Sequence, residues 1–328
     1  MLFEQMMAVC VTSLQTDLVT CCYNSARHRR RLAKAIQQWE TAELLATRNE
    51  ALIHTMEGTQ EAAAPCFVSA WIHVMKLDCM ALYYSCGFAL ELYTVQEYAM
   101  VYWYMLNIHE ATTKFLQTSK AFNPDLSQTL KQHLRIDAQK PATDSVETRY
   151  DGVQDCADLR VGINFGLFLL CVGLSMLGRT RVIQNDLYCD AAHYRIRFKA
   201  MQTVGNPAYM PLEAYRGSVD GLVEECSQSV GDVMLMAIEA FGKAKHILQS
   251  RRHQVEKQID AIEIEALLKV CEDNSTTIDG IRWDELERHD DSRREVVAAN
   301  HLRWSTMGLF SFDAHYAYPI LSSSTDLA

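Results

Sequence analysis

Apolar residues recur at every third or fourth position along most of the chain, the period of helices with one buried face, and no strand-rich half is evident. Residues 1–22 place Phe3, Met7, Cys10, Leu14, Leu18 and Cys21 on one such face with no capping residue ahead of them, so the chain reads as starting in mid-structure. A second helix is expected after Asn24 and Ser25, carrying Leu32, Ile36, Trp39, Leu45, Leu52 and Met56 and stopping near Gly58. Pro65 suits the first turn of a third, with Phe67, Trp71, Val74 and Leu82. The next stretch, GFALELYTVQEYAMVYWYML from Gly87 to Leu106, has no fully polar face. Phe88, Leu92, Val95, Ala99, Tyr102 and Leu106 form one stripe, and Tyr93, Met100, Tyr104 and Ile108 lie around the other side. The pattern predicts a helix running on to about Leu116, covered all round by its own chain or by a partner.

Residues 117–155 are more polar, with a short helix expected behind an Asn123 cap, where Pro124 precedes Leu126, Leu130 and Leu134 at helical spacing. Val161 to Gly178 is uncharged, residues 186–202 can form an amphipathic helix, and Pro207 and Pro211 break the chain. Helical spacing returns in Val233, Ala237, Ala240, Ala244 and Leu248, then in Val255, Ile259, Ile262 and Ala266. The charged segment CEDNSTTIDGIRWDELERHDDSRRE is expected to be exposed, and the tail LFSFDAHYAYPIL ends the ordered part. No internal repeat is visible. The organisation expected is a helical region at 1–116, a polar connection at 117–155, and a second helical region at 156–328.

Composition sharpens the fold class to all-α, a multi-helical scaffold with long buried helices. Gly numbers 14 and Pro 6 in 328 residues, below the average usage of roughly 7% and 5%, so tight turns are few. A net charge of −10 opposes broad attraction to nucleic acid or anionic membrane, and neither DNA nor membrane is an expected partner. Eleven cysteines, several of them in apolar helical patterns, with no CxxC pair, fit a reducing compartment rather than a disulfide framework or zinc module. Glu4 and the lack of a basic n-region argue against a signal peptide, and a cytoplasmic location is expected.

Few motifs carry chemistry. ARHRRRLAK concentrates Arg27, Arg29, Arg30, Arg31 and Lys34, a contact for RNA or an acidic protein or simply a solvated helix face. VGINFGLFLLCVGLSMLG is 18 residues without a charge, with Gly162 and Gly166 at the small-residue spacing of close helix pairs. Its length suits a buried core helix, with a single membrane span as the rival. No HExxH, GxSxG, phosphate loop or GxGxxG occurs, and no histidine spacing suggests a metal. Glu91 and Glu97 stand in apolar surroundings. They read as buried acids, either capping or paired with an arginine, or else, with His109, as the centre of a helical enzyme.

Five blocks in order resemble a known family. Gly87-Phe88-x-Leu90-Glu91-Leu92-Tyr93, Glu97-Tyr98 and Tyr102-Trp103-Tyr104 are similar to the large auxiliary subunit of the N-terminal acetyltransferase C complex, NatC. So are Asn24, Ala26, Arg27, Arg29 and Leu32; Tyr194, Arg197 and Phe198; Phe241, Ala244, Lys245, Ile247 and Leu248; and Phe310, Phe312, Ala314, His315 and Pro319. The resemblance covers the C-terminal half of that family, without its Met-Asp-Pro-Lys-Met-Asp type motif. It implies a non-catalytic scaffold with no cofactor, catalytic or metal site of its own, acetyl-CoA being carried by the catalytic partner. That partner would acetylate nascent chains starting with Met and a bulky hydrophobic residue. Arg27, Arg29, Glu91, Tyr93, Glu97, Tyr98, Tyr102, Trp103, Tyr194, Arg197, Phe198, Phe312 and His315 become the expected partner-contact residues. The catalytic subunit is the expected partner, ribosome association is a further one, and the small Sm-like subunit depends on the half not matched.

Overall fold

The computed structural model describes residues 25–57, 67–121, 145–183, 191–202, 204–205, 211–217, 230–254, 258–289 and 310–321. They form helices α1 (Ser25–Glu57), α2 (Phe67–Ala89), α3 (Val95–Ala121), α4 (Ser145–Ile183), α5 (Ala191–Phe198), α6 (Val230–Arg252) and α7 (Gln258–His289). A 3₁₀ turn at Lys199–Met201 extends α5, and residues 212–217 are also helical. The all-α expectation holds, with one addition: β1 (Phe310–Ser311) and β2 (Ile320–Leu321) pair antiparallel, Phe310 facing Leu321 and Ser311 facing Ile320. Helices pack as a series, α1 on α2, α2 on α3, α3 on α4, α4 on α6 and α6 on α7, and β2 lies on α7.

The apolar stretch within α4 is the interior layer. By length and composition Leu159–Thr180 could cross a membrane, but α4 packs between α3 and α6, burying Leu170, Cys171, Leu174 and Leu177. Its polar residues are partnered: Ser175 Oγ donates to the Ala99 carbonyl at 3.1 Å, and Asn164 Nδ2 to the Arg160 carbonyl at 3.0 Å. Glycine sets two of the contact distances. A Cβ on Gly166 would lie 2.8 Å from the Leu248 side chain of α6, as the small-residue spacing suggested, and one on Gly178 would lie 2.7 Å from the backbone of Ala99 in α3.

Three expectations change. The aromatic segment is not one helix, because α2 ends at Ala89 and α3 begins at Val95. Leu92 N–H reaches the Gly87 carbonyl at 3.0 Å and Glu91 N–H the Phe88 carbonyl at 2.8 Å, the paired bonds of a Schellman stop with Glu91 in the left-handed region at φ 54°. Glu97 then starts α3 by accepting the Thr94 N–H at 2.8 Å, half of a capping box. The segment beginning at Cys271 is not an exposed connection: α7 continues through it to His289, and Cys271, Asn274 and Ile278 are buried. Finally, the boundary drawn at 155/156 falls inside α4, whose long packing on α3 joins the two helical regions. The helices expected at 1–22 and behind Asn123 lie outside the described residues.

Candidate functional site

Around the start of α3, residues from three helices build a charged clamp. Glu97 is 3% exposed, and Arg197 of α5 binds it with both nitrogens, Nε at 2.5 Å from Oε1 and NH2 at 3.1 Å from Oε2. The Thr94 hydroxyl donates to the same carboxylate at 3.2 Å, so Glu97 both caps α3 and pins α5 to it. Arg29 of α1 lies 4.0 Å over the Tyr83 ring; its Nε donates to the Tyr83 carbonyl and its NH2 to the Tyr93 hydroxyl, each at 3.3 Å. Tyr93 thus stands between two guanidinium groups, 5.8 Å from Arg29 and 5.7 Å from Arg197, contacts that hold a cation by the ring's negative face. Burial raises the Tyr93 phenol against the opposing pull of Arg29, so it stays a hydrogen-bonding hydroxyl.

Behind the clamp the aromatics interlock. Tyr104 stacks on Phe198 at 4.4 Å, Phe198 meets Tyr194 at 4.6 Å, Phe88 stacks on Tyr102 at 4.7 Å, and Trp103 sets its edge on Tyr215 at 5.3 Å. Trp103 and Tyr102 are therefore buried in the core of this chain.

The C-terminal tail closes the far side through polar contacts. Tyr102 donates to the Ala317 carbonyl at 2.8 Å. Asn274 of α7 brackets Ile320 as a strand would, giving its Nδ2 to the Pro319 carbonyl at 2.9 Å and accepting the Leu321 N–H at 2.8 Å. The Ala317 N–H donates to His315 Nδ1 at 3.0 Å, which places the proton on Nε2, 2.9 Å from Glu263. Phe312 rests on Phe88 and Tyr98. Deeper, Asn164 Oδ1 accepts from His109 Nδ1 at 3.2 Å, and His109 Nε2 faces the Tyr318 hydroxyl at 3.4 Å. Burial drives the His109 imidazole down to about 4, only partly offset by Asn164, and raises the Cys171 thiol.

A second polar cluster, absent from the expected set, joins α1 to α2. Lys76 is fully buried between Glu40 at 2.8 Å and Glu43 at 2.5 Å; His73 Nδ1 lies 2.9 Å from Glu43, and Glu40 also accepts the Gly205 N–H at 2.8 Å. Burial pushes the Glu43 carboxyl up, but the hydrogen bonds of His73 and Lys76 outweigh it and leave the group below its ordinary value. In the sequence, His73 and Lys76 within a mostly apolar helix hinted at this cluster.

The expected contact residues thus divide. Tyr93, Glu97, Tyr98, Tyr102, Trp103, Tyr194, Phe198 and His315 are buried, Arg29, Arg197 and Phe312 are half-buried, and Glu91, read as a buried acid, is exposed on the α2–α3 turn. The side chain of Arg27 lies outside the described residues. Arg30, Arg31 and Lys34 are exposed on α1, while Arg29 turns inward. Among the described residues no group of three or more His, Cys, Asp or Glu could hold a metal ion.

Residues 2–321 match the family described as NAA35-like, TPR repeats. The chain is 22% identical over 311 residues to the human NatC auxiliary subunit N-alpha-acetyltransferase 35, covering 91% of this chain and 39% of that protein. It is 22% identical over 269 residues to the Drosophila melanogaster homolog, covering 74% and 34%. The crystal structure of the apo NatC complex contains a chain of similar fold, with TM-score 0.58 and 12% identity over 91% of this chain and 45% of that one. The chain therefore spans about two fifths of the length of such relatives. With the family match running over nearly its whole length, this chain belongs to the NAA35-like family of helical repeat proteins.

Proposed function

We propose that this chain is a non-catalytic auxiliary subunit of a cytoplasmic NatC-type N-terminal acetyltransferase. It holds a catalytic subunit that carries acetyl-CoA and acts on nascent chains beginning with Met and a bulky hydrophobic residue. The observation that carries the reading is the convergence of the family-like blocks: Arg29, Tyr93, Glu97, Arg197 and Phe198 interlock within one clamp, and the tail block closes the same core. Groups with chemistry of their own are engaged there in packing. A scaffold promotes a reaction by fixing another chain in working geometry, which needs rigidity rather than reactive side chains. The exposed Arg30, Arg31 and Lys34 of α1, in a chain of net charge −10, support electrostatic association with the ribosome.

The test is acetyl transfer to Met-Leu and Ser-Leu peptides by this chain alone, the catalytic subunit alone, and the two co-expressed. The reading expects none from this chain and a gain on Met-Leu from the pair. Turnover by this chain alone, or a pair no better than the catalytic subunit by itself, overturns it.

A further inference from the structure

The tail lies on the helices as a peptide lies in a receptor groove. From His315 to Leu321 every second residue, His315, Ala317, Pro319 and Leu321, is buried, while Tyr316 is exposed and Ile320 half-buried, the alternation of an extended strand laid on a surface. The bonds from α3 and the middle of α7 address its backbone. Tyr102 donates to the Ala317 carbonyl, and the Asn274 amide takes the Pro319 carbonyl and the Leu321 N–H together, standing in for a sheet edge. Two side chains add identity: Tyr318 stacks beside Tyr102 with its hydroxyl against His109 of α3 and the Cys171 thiol of α4, and His315 meets Glu263 of α7. The receiving groups are placed by contacts outside the tail. Asn274 Nδ2 also donates to the Val270 carbonyl at 2.9 Å, Tyr102 stacks on Phe88, and His109 is held by Asn164. The tail has bonds of its own in turn, in the β1–β2 pairing, the Ser311 hydroxyl on Asp313 and the Ala317 N–H on His315.

We infer that the groove between α3, α4 and α7 is a peptide-binding site, filled in cis by the tail, whose ligands are extended segments of the pattern His-x-Ala-Tyr-Pro-x-Leu. Each position has its reason in the seated tail. Ala317 is fully buried and leaves no room for a larger side chain, and Tyr318 reaches two polar groups at the bottom of the groove. Pro319 has no N–H to strand there, and its fixed φ lowers the ordering cost of binding. A segment of this pattern from another chain has to displace a tethered ligand, so the tail acts as a built-in competitor. The site lies beyond the scaffold role and does not depend on it.

The experiment uses the full chain with a protease site inserted between His289 and Phe310, made intact and then nicked, and a fluorescein-labelled synthetic peptide of residues 310–321. Fluorescence polarisation follows the peptide, and circular dichroism follows the helices of the body. The labelled peptide should exchange saturably into the nicked chain, be displaced by unlabelled but not by scrambled peptide, and bind the intact chain about tenfold or more weakly, because the tethered tail competes. Methylating the Leu321 nitrogen of the peptide removes one Asn274 bond without touching the protein, and should weaken binding about fivefold. Asn274→Ala removes two backbone bonds and should weaken it about tenfold or more, with the helical signal kept. Four results each overturn the site. They are loss of the helical signal when the nicked tail leaves, no exchange by a body that stays folded, equal binding of the scrambled peptide, and an N-methylated peptide that binds within about twofold of the unmodified one.

Discussion

His109 offers a direct reading of how the tail is locked. It lies wholly buried between Asn164 and Tyr318, with its pKa held by burial at about 4 against an ordinary 6.5. Below pH 6.5 the unfolded chain takes up a proton on this imidazole while the folded chain does not, until the pH approaches 4. Its contribution is therefore whole above pH 6.5 and is lost as the pH falls from there toward 4. At about 1.4 kcal/mol per pH unit the full loss is about 3 kcal/mol, of which about 2 kcal/mol has gone by pH 5. Glu43, whose carboxyl lies below its ordinary value, also makes stability fall with acidification, so a pH titration of wild type alone does not isolate the histidine. The comparison needed is with His109→Gln, whose amide can offer a donor and an acceptor but does not ionise. Urea unfolding of both proteins at about pH 7.5, 6 and 5 should show the variant weaker at the top of the range, with the gap narrowing by about 2 kcal/mol at the bottom. A gap that stays constant would mean that His109 is solvated with an ordinary pKa in the folded chain, and a gap that widens toward acid that it is already charged there; either would make its buried contact with Tyr318 wrong.

Substitutions of Glu97 and Arg197, singly and together, should give a coupling of about 1–3 kcal/mol in a double-mutant cycle, because the pair is bidentate and Glu97 is buried; below about 0.5 kcal/mol the clamp is ornamental. Gly178→Ala places a Cβ against the Ala99 backbone and should cost about 1–3 kcal/mol, whereas Gly242→Ala enters open space on α6 and should stabilise by about 0.5–1 kcal/mol. Thermal unfolding distinguishes them, and similar effects at the two sites would refute the α3–α4 contact. Glu91→Gly should raise stability by about 1 kcal/mol through relief of the left-handed backbone, and an unchanged or lower midpoint would show that the turn is not strained.

Sequence periodicity placed Leu32 and Ile36 of α1 in the core, although Leu45, on the same expected face, is 56% exposed. It failed at residues 90–94 because Leu90, Leu92, Tyr93 and Val95 keep the apolar rhythm through the turn, and the left-handed position carries glutamate instead of the glycine that announces a stop. The capping pair Thr94 and Glu97 stood in the sequence as a T-x-x-E signal and marks the new start correctly. In α7 the charged residues around Cys271, Asn274 and Ile278 hid a buried stripe that continues from Ile264, Leu267 and Val270. Phe198, expected as a partner contact, and Tyr104 both lie in the core. The partners of Arg197 and Lys76 were not legible: Arg197 meets a carboxylate 100 positions away, Lys76 one 36 away, and only the packing of the helices brings either pair together.

The buried polar pairs also say what kind of stability this core has. Ion pairs out of water contribute little beyond what a well-packed apolar replacement would give, since desolvation offsets much of their attraction. Their effect is on position. Phe198 could stack on Tyr104 over a range of small shifts, but Arg197 meets both oxygens of Glu97 at only one height of α5 along α3. Likewise the tail could lie against α7 in more than one register, but Asn274 accepts only the one that puts the Pro319 carbonyl and the Leu321 N–H on either side of it. Arg29, held by both the Tyr83 carbonyl and the Tyr93 hydroxyl, fixes α1 against the same turn. The family-like blocks therefore act as register pins in a mostly apolar helical stack, where apolar contact alone would allow sliding. Registration of that kind has its consequence at the surface: Glu91, Leu92 and the basic face of α1 are carried at set distances from one another. In the proposed role, where this chain would position another, misplacement by about 1 Å would be enough to cost on the order of 100-fold in rate. The pins belong where the family-like residues are, under the turn and the tail, rather than in any catalytic pocket.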